Sequence, residues 1–452
     1  MVAAFESHST IPVLFPPDRQ AATRRLQTFL PHVAAYARER NYDRPGHREV
    51  SRLSPYLRHR LLTEGEVVDA VLDRTSYREA EKFILEVCWR SYCKGFLELH
   101  PSVWKSFRNS VVEEEARLGR QEAERLQAAR NGQTGIACYD AWVRELLDTG
   151  YLHNHARMWF ASIWIFTLRL PWSLGAAFFL QHLLDGDPAS NTLGWRWVAG
   201  LHTQGKNYLA RAENIRKYTD GRFYPSGQLR EQAPPLEPQG SHPQVGLAPV
   251  ARGWDLTSPD LSTCPAGLLV LPEDLSPEGS QLGDAPFSSI CLFEGRDIET
   301  ALMPSARVQS FREEAYADAV KRIAEHWSAR TVPVMGQVET QSRKACADNV
   351  GCYDVAMRIY HGKVDHWAES VAAWARSENL NSVWMLQPPV GPWRDAMPRL
   401  RSALRPLNVT IFEYRRRWDQ LHWRHATGGF FSFKKNLESR INGYREGLLP
   451  FA

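Results

Sequence analysis

The stretch DGDPASNTLGWRW, Asp185 to Trp197, sets two carboxylates, an amide and two indoles within thirteen residues. Carboxylates and an amide at this density hydrogen-bond a polar ligand, and indole offers a broad, oxidisable π surface. Arg157 precedes a very apolar run, and a buried guanidinium needs a carboxylate, for which Asp185 is the candidate. A second constellation is VSRLSPYLRHRLL. Ser54 followed by Pro55 reads as a helix N-cap with proline at the first helical position. Free N–H groups there, with Ser51 and Arg52 just ahead, make an anion site; an ordinary capped helix is the plain alternative. A third is EVCWRSY, where Glu86 and Trp89 share a helix face at i,i+3 and Arg90 stands at i,i+4 from Glu86. An acid beside a large aromatic surface grips a flat ligand such as a base; a boundary helix with a surface Glu86–Arg90 pair competes with that reading. Asn154 and Met158 share a face in GYLHNHARMWF. His153 and His155, two apart, point away from each other and do not suit one metal.

These side chains need helices to position them. Residues 20–222 read as almost wholly helical, with apolar residues at helical spacing in YREAEKFILEVCWRSYCKGFLELH and TGIACYDAWVRELLDTG. In the latter Thr134 caps the start, Gly150 ends the helix, and Asp140 pairs with Arg144. EEEARLGRQEAERLQAARNG reads as a solvated helix. Arg169 and Pro171 break the apolar run from Met158, which favours two buried core helices over a membrane span. The Pro/Gly/Gln-rich stretch 224–265 reads as a linker. Beyond it GLLVLP, SSICLFEG, SVWMLQ and VTIFEY read as strands alternating with helices, a parallel sheet of Rossmann type at 266–452 without a glycine-rich phosphate loop.

The 452 residues carry a net charge of +4. Residues 1–230 hold 31 Lys and Arg against 25 Asp and Glu, and the remainder 24 against 26. That modest excess permits a polyanionic partner without demanding one. Seven cysteines with no CxxC read as reduced thiols, and the spacing of Cys264, Cys291, Cys346 and Cys352 gives an iron–sulfur cluster no support. The first residues lack the pattern of a secretion signal, so a cytoplasmic location is expected.

Taken in order, SRLSPYL, EVCWR, TGIACYDAWVREL, GYLHNHARM and LLDGDPASNTLGWRW resemble the FAD-binding domain of the photolyase/cryptochrome family, over about residues 20–222. The resemblance implies an all-helical FAD-binding domain at 1–223 followed by the α/β domain, a domain order swapped relative to typical members. GGFFSFKKNLESRI near the end resembles the segment that usually joins the two. The resemblance also implies that Tyr36, Ser51, Arg52, Leu53 and Ser54 hold the FAD phosphates, with Val50 where the family usually has Thr. Asn154, the Arg157–Asp185 salt bridge, Asp187 and Asn191 would line the flavin, Asn191 facing N5. Trp195 and Trp172 match the first two members of an electron chain. Its third position falls near Gly119, which leaves Trp159, Trp164 or no residue as the end.

Glu86, Trp89, Asn154 and Met158, with Arg90 alongside, match the residues that touch a flipped cyclobutane dimer. The reading that follows is light-driven repair of pyrimidine dimers in DNA by electron transfer from reduced FAD. A cryptochrome-like receptor using the same FAD and Trp chain, with an unknown signalling partner, is the alternative, and a flavin scaffold without photochemistry the third. Two departures weaken repair: His155 stands where Arg is frequent, and HTQGKNYLARAENIRKYT replaces a family loop. That loop is basic, and Lys206, Arg211, Arg216 and Lys217 either meet phosphates or form a solvated face. A second, antenna chromophore, folate or deazaflavin, cannot be assigned from the sequence.

Overall fold

The computed structural model describes residues 14–203, 205–237, 265–294, 302–327, 330–334, 355–360 and 366–447. Twelve α-helices come first among these: α1 (Arg19–Phe29), α2 (Val33–Glu39), α3 (Ser54–Arg58), α4 (Glu64–Leu72), α5 (Tyr77–Leu99), α6 (Pro101–Arg117), α7 (Arg120–Arg130), α8 (Ala137–Thr149), α9 (Asn154–Ser162), α10 (Trp172–His182), α11 (Pro188–Ala199) and α12 (Ala212–Tyr218). The strands and helices β1 (Ala266–Val270), β2 (Ser289–Phe293), α13 (Ala306–His326), β3 (Arg330–Val334), β4 (Ala356–Tyr360), α14 (Trp367–Ser377), β5 (Ser382–Leu386), α15 (Pro392–Leu404) and β6 (Thr410–Tyr414) follow, then α16 (Arg417–Trp423), α17 (Phe430–Lys434) and α18 (Leu437–Arg445).

Helix α5 is the spine of the helical half. Ser76 and Glu79 close a capping box at its start, and its buried face runs from Ala80 to Leu99. The apolar run after Met158 forms the end of α9, a π-helical turn at Ile163–Thr167 and α10, with residues 159–166 and 173–180 buried in the core. Among the described residues no helix is long and apolar enough to cross a membrane. Gly150 ends α8 in the left-handed region, as expected. Other local readings change. Asp140 does not pair with Arg144: its carboxylate accepts from Thr134 N and Oγ1 at 3.0 and 2.7 Å and from Gly135 N at 3.0 Å. Thr134 therefore lies outside the helix, and Ile136 takes the cap position. The charged stretch is two helices, α6 and α7, broken at Leu118–Gly119.

Among the described residues the sheet has six strands, all parallel, in the order β3-β4-β2-β1-β5-β6. The sequence pattern announces β1, β2, β5 and β6. It does not announce β3 or β4, of which β3 is an outer strand among the described residues. The last three helices pack on the helical half. Trp418 Nε1 donates to Ser91 Oγ on α5 at 2.8 Å, and Trp423 covers Gly95. A Cβ at Gly95 would lie 2.6 Å from the Trp423 Cα, so only glycine permits this approach.

Buried ion pairs tie the carboxyl end of β1 to the helical half. Arg58 donates to Glu273 in two bonds of 2.6 and 2.8 Å, and its Nε donates to Gly186 O at 2.8 Å. Arg60 donates to Asp274 at 3.0 Å and to Asp419 at 2.5 Å, and Arg416 clamps Asp274 from the other side. The linker expected at 224–265 is described as far as 237, where it runs as irregular chain against the helices; the rest lies outside the described residues. So do Cys264, Cys346 and Cys352, while Cys88, Cys93, Cys138 and Cys291 are free and buried.

Candidate functional site

Helices α2, α3, α5 and α9 enclose a cavity of about 260 Å³. Tyr36 reaches it from α2. Ser51, Arg52 and Leu53 come from the turn before α3, and Ser54 from the first residue of that helix. Glu86 and Arg90 line it from α5, Asn154 and Met158 from α9, each pair at the i,i+4 spacing that shares a face. The cap differs by one residue from the expectation: Leu53 is the N-cap and no side chain caps α3. Arg52 adopts φ +52°, its Nε is buried without a hydrogen-bond partner, and burial lowers its pKa.

The Glu86 carboxylate is held by Arg40, not by Arg90 as the surface-pair reading had it. Arg90 lies instead 3.7 Å from Glu64 and 4.0 Å from Asp187, with Nε and Nη2 unpartnered. Trp89 does not line the cavity. Its ring stacks on Phe430 of α17, with centroids 3.7 Å apart and planes 9° from parallel. The expected aromatic wall is thus turned toward the chain's own last helices, a contact between residues hundreds of positions apart that local spacing cannot reveal.

Behind the cavity, Arg157 Nη2 donates to Asp185 at 2.9 Å and its Nε to Leu152 O at 2.9 Å. Tyr151, a cavity residue, lies under the same guanidinium at 5.5 Å. Asp187 caps α11 by accepting from Ser190 N at 2.8 Å. Burial would raise the Asp187 pKa; Arg90, Lys94 and Arg58 outweigh it and keep the carboxylate ionised. Asn191 donates to Ala176 O at 2.9 Å. Asp185, Asp187 and Asn191 are not among the residues lining the cavity itself. Arg52 Nε, the two Arg90 nitrogens and Asp185 Oδ1 are buried without hydrogen bonds, although Arg90 is ion-paired with Glu64 and Asp187; the mixture of free donors and a free acceptor suits a ligand bearing both anionic groups and hydrogen-bonding ring edges.

Trp195 is buried, with Phe179 at 5.1 Å and Trp164 at 6.1 Å edge-on. Gly175 makes room for it: a Cβ there would meet the Trp195 ring at 2.3 Å. Trp172 is half-buried at the start of the same helix, 5.6 Å from Phe107 and with the Arg196 guanidinium 5.9 Å from its ring. Trp159 and Trp164 are both fully buried, so neither is a solvent-side end of an electron path. His153 caps α9 and His155 bonds Asn41 O at 2.9 Å, so the two do not converge. Asp43, His47 and Glu145 do come together, but Trp142 and Arg222 already occupy Asp43 Oδ2. Arg216 of the basic loop lies 3.8 Å from Glu213, and Lys206, Arg211 and Lys217 are exposed. Arg40 and Tyr151 are site residues that sequence reasoning missed; the i,i+4 spacing of Tyr36 and Arg40 was the available signal.

A second, smaller cavity of about 90 Å³ lies at the carboxyl ends of β1 and β2, between the sheet and the helices, and includes Arg58, Gly186, Glu273 and Arg312.

Residues 83–228 match the model of the FAD binding domain of DNA photolyase. The deoxyribodipyrimidine photo-lyase of Streptomyces griseus is 34% identical over 179 residues, 37% of this chain and 38% of the relative. That of Vibrio cholerae serotype O1 is 31% identical over 259 residues, 56% of this chain and 53% of the relative. The chain thus spans about half or less of the length of these relatives. Among solved structures, a bacterial class III photolyase from Agrobacterium tumefaciens is 27% identical, covers 44% of this chain and 42% of its own, and has a TM-score of 0.39.

Proposed function

We propose that this chain, whose residues 83–228 match the FAD binding domain of DNA photolyase, repairs cyclobutane pyrimidine dimers in DNA under blue light. The observation that carries the reading is the single cavity on which the Ser51–Ser54 turn and the Glu86, Asn154 and Met158 side chains converge. Bound FAD supplies a light-excited one-electron donor. The turn at Ser51–Ser54, Arg52 and Tyr36 hold its phosphates. Arg157 and Asp185 would brace the flavin from behind the cavity, and Asn191, fixed by its bond to Ala176, would serve its ring. A flipped dimer enters easily because its stacking is already impaired. Glu86, set by Arg40, and Asn154 hydrogen-bond the pyrimidine edges, Met158 packs against them, and Arg90 balances the charge near Asp187. Trp195 and Trp172 pass electrons toward the cofactor. In this reading the helices and the sheet are the family's two units in swapped chain order. The small cavity at the strand ends is where a second chromophore would sit, since ligands of parallel sheets bind there.

One observation favours the receptor alternative: Trp89 is covered by Phe430 and offers a lesion no open face on that side. The deciding experiment illuminates the reduced, FAD-loaded protein with a dimer-containing oligonucleotide. Loss of dimer is expected. No loss, with normal flavin photoreduction, transfers the assignment to the receptor reading.

A further inference from the structure

A groove of about 910 Å³ runs between α6, α10, α11 and the chain at 229–237, and Trp172 forms part of its wall. Three guanidinia line it: Arg169, Arg196 and Arg230. None of them forms an ion pair with a described residue. Arg196 is the most enclosed. Its Nε is buried without a partner, its one hydrogen bond is a 3.3 Å contact to Leu201 O, and burial lowers its pKa. Ser173, 1% exposed, places an unpartnered Oγ on the same wall. Arg169 holds φ +52°, a conformation costly for a non-glycine residue. Glu114, Glu122 and Glu237 also border the groove and limit its positive potential.

Arg169 and Arg230 are exposed at the groove's rim, whereas the enclosed Arg196 Nε beside the buried Ser173 hydroxyl leaves hydrogen-bonding capacity that water-poor surroundings make costly to waste and that a small organic anion would use. The groove's position says what such an anion does. Trp164 and Trp159 have no access to solvent, whereas Trp172 borders the groove. An electron drawn from the Trp195–Trp172 pair therefore leaves its deficit at Trp172, and the Arg196 cation 5.9 Å from that ring makes the oxidised indole a stronger oxidant.

We propose that this groove docks a small anionic reductant of the enediol class that restores Trp172 after photoreduction. The inference rests on the electron route given under the proposed function. In the forward step Trp172 loses one electron, by way of Trp195, to the light-excited oxidised flavin, and its indole N–H proton goes to water. The docked monoanion then gives one hydrogen atom: its O–H bond breaks, the indole N–H bond forms again, and the donor leaves as its radical anion.

L-ascorbate is the probe. Titrated calorimetrically into the dark, FAD-loaded protein without oxygen, it binds one saturable site, is displaced by the non-reducing anion gluconate, and binds about tenfold or more weakly to Arg196→Gln and to Arg169→Gln. After a flash, decay of the indolyl radical absorbance accelerates with ascorbate and then saturates. Trp172→Phe loses that radical yet retains dark binding. Absence of saturable binding, or binding indifferent to both arginine substitutions, overturns the proposal. Arginine-dependent binding in a protein that never forms the radical leaves the anion site standing and overturns the electron route. A radical that forms but decays in strict proportion to ascorbate, with no dark binding, overturns the docking site and leaves the route intact.

Discussion

At the scale of single residues, the decisive facts are which polar groups already have partners. Glu86 is set by Arg40, so Glu86→Ala both removes an acceptor from the cavity and frees a half-buried cation. We expect repair per absorbed photon to fall about tenfold or more, the loss of one hydrogen bond to a charged group, with FAD content little changed. Quantification of dimer in irradiated oligonucleotide measures it. Phe430 is different, since its ring is packed on Trp89 and near Tyr92. Phe430→Ala should cost about 3 kcal/mol in chemical denaturation, the usual loss for a buried aromatic, and should shift tryptophan emission to the red as Trp89 meets water. An unchanged midpoint would mean that α17 contributes no packing energy there.

At the scale of elements, close approach of helices is set by two glycines. Gly175 lets the edge of the Trp195 ring reach α10, and Gly95 lets α16 meet α5 backbone to backbone. The substitution Gly175→Ala should displace the Trp195 ring and slow flavin photoreduction, read by absorbance under continuous blue light. Gly95→Ala meets main-chain atoms of Trp423, which cannot swing aside as a side chain can. Its expected cost is about 1–3 kcal/mol of stability, the overpacking range, with photoreduction retained. Exchange of the first substitution's effect for the second's would show that these contacts are misassigned.

For the whole molecule, the join between sheet and helices is a buried charge cluster. Burial alone would raise the Asp274 carboxyl; Arg416 and Arg60 outweigh that effect and hold its pKa at about 2. Because the folded value lies below the ordinary carboxylate value of about 3.9, the stabilisation is complete above about pH 4 and is lost as pH falls toward 2. Asp274→Asn should remove this part of the acid dependence and lower stability by about 3–5 kcal/mol, leaving Arg416 without its main acid. Denaturation midpoints followed from pH 6 to pH 2, at about one-unit steps, compare the two proteins. Parallel acid curves for the native and substituted chains would count against the cluster as the source.

Much of this protein is legible one-dimensionally. Helical spacing places Glu86 with Arg90 and Asn154 with Met158, and the need of a buried guanidinium for a carboxylate pairs Arg157 with Asp185. These are short-range or single-partner arguments, and local periodicity carries them. Other features arise only when distant segments meet. Arg40 reaches Glu86 because α2 lies against α5, Asp140 serves the loop before its own helix, and Trp89 turns to Phe430 because α17 returns across the fold. A helix face has one inside, but which partner fills it depends on how elements pack, and that energy is spread over contacts no local pattern contains. The unpaired arginines beside Trp172 belong to the same class: a cation's want of a partner becomes visible only when every neighbour has its place.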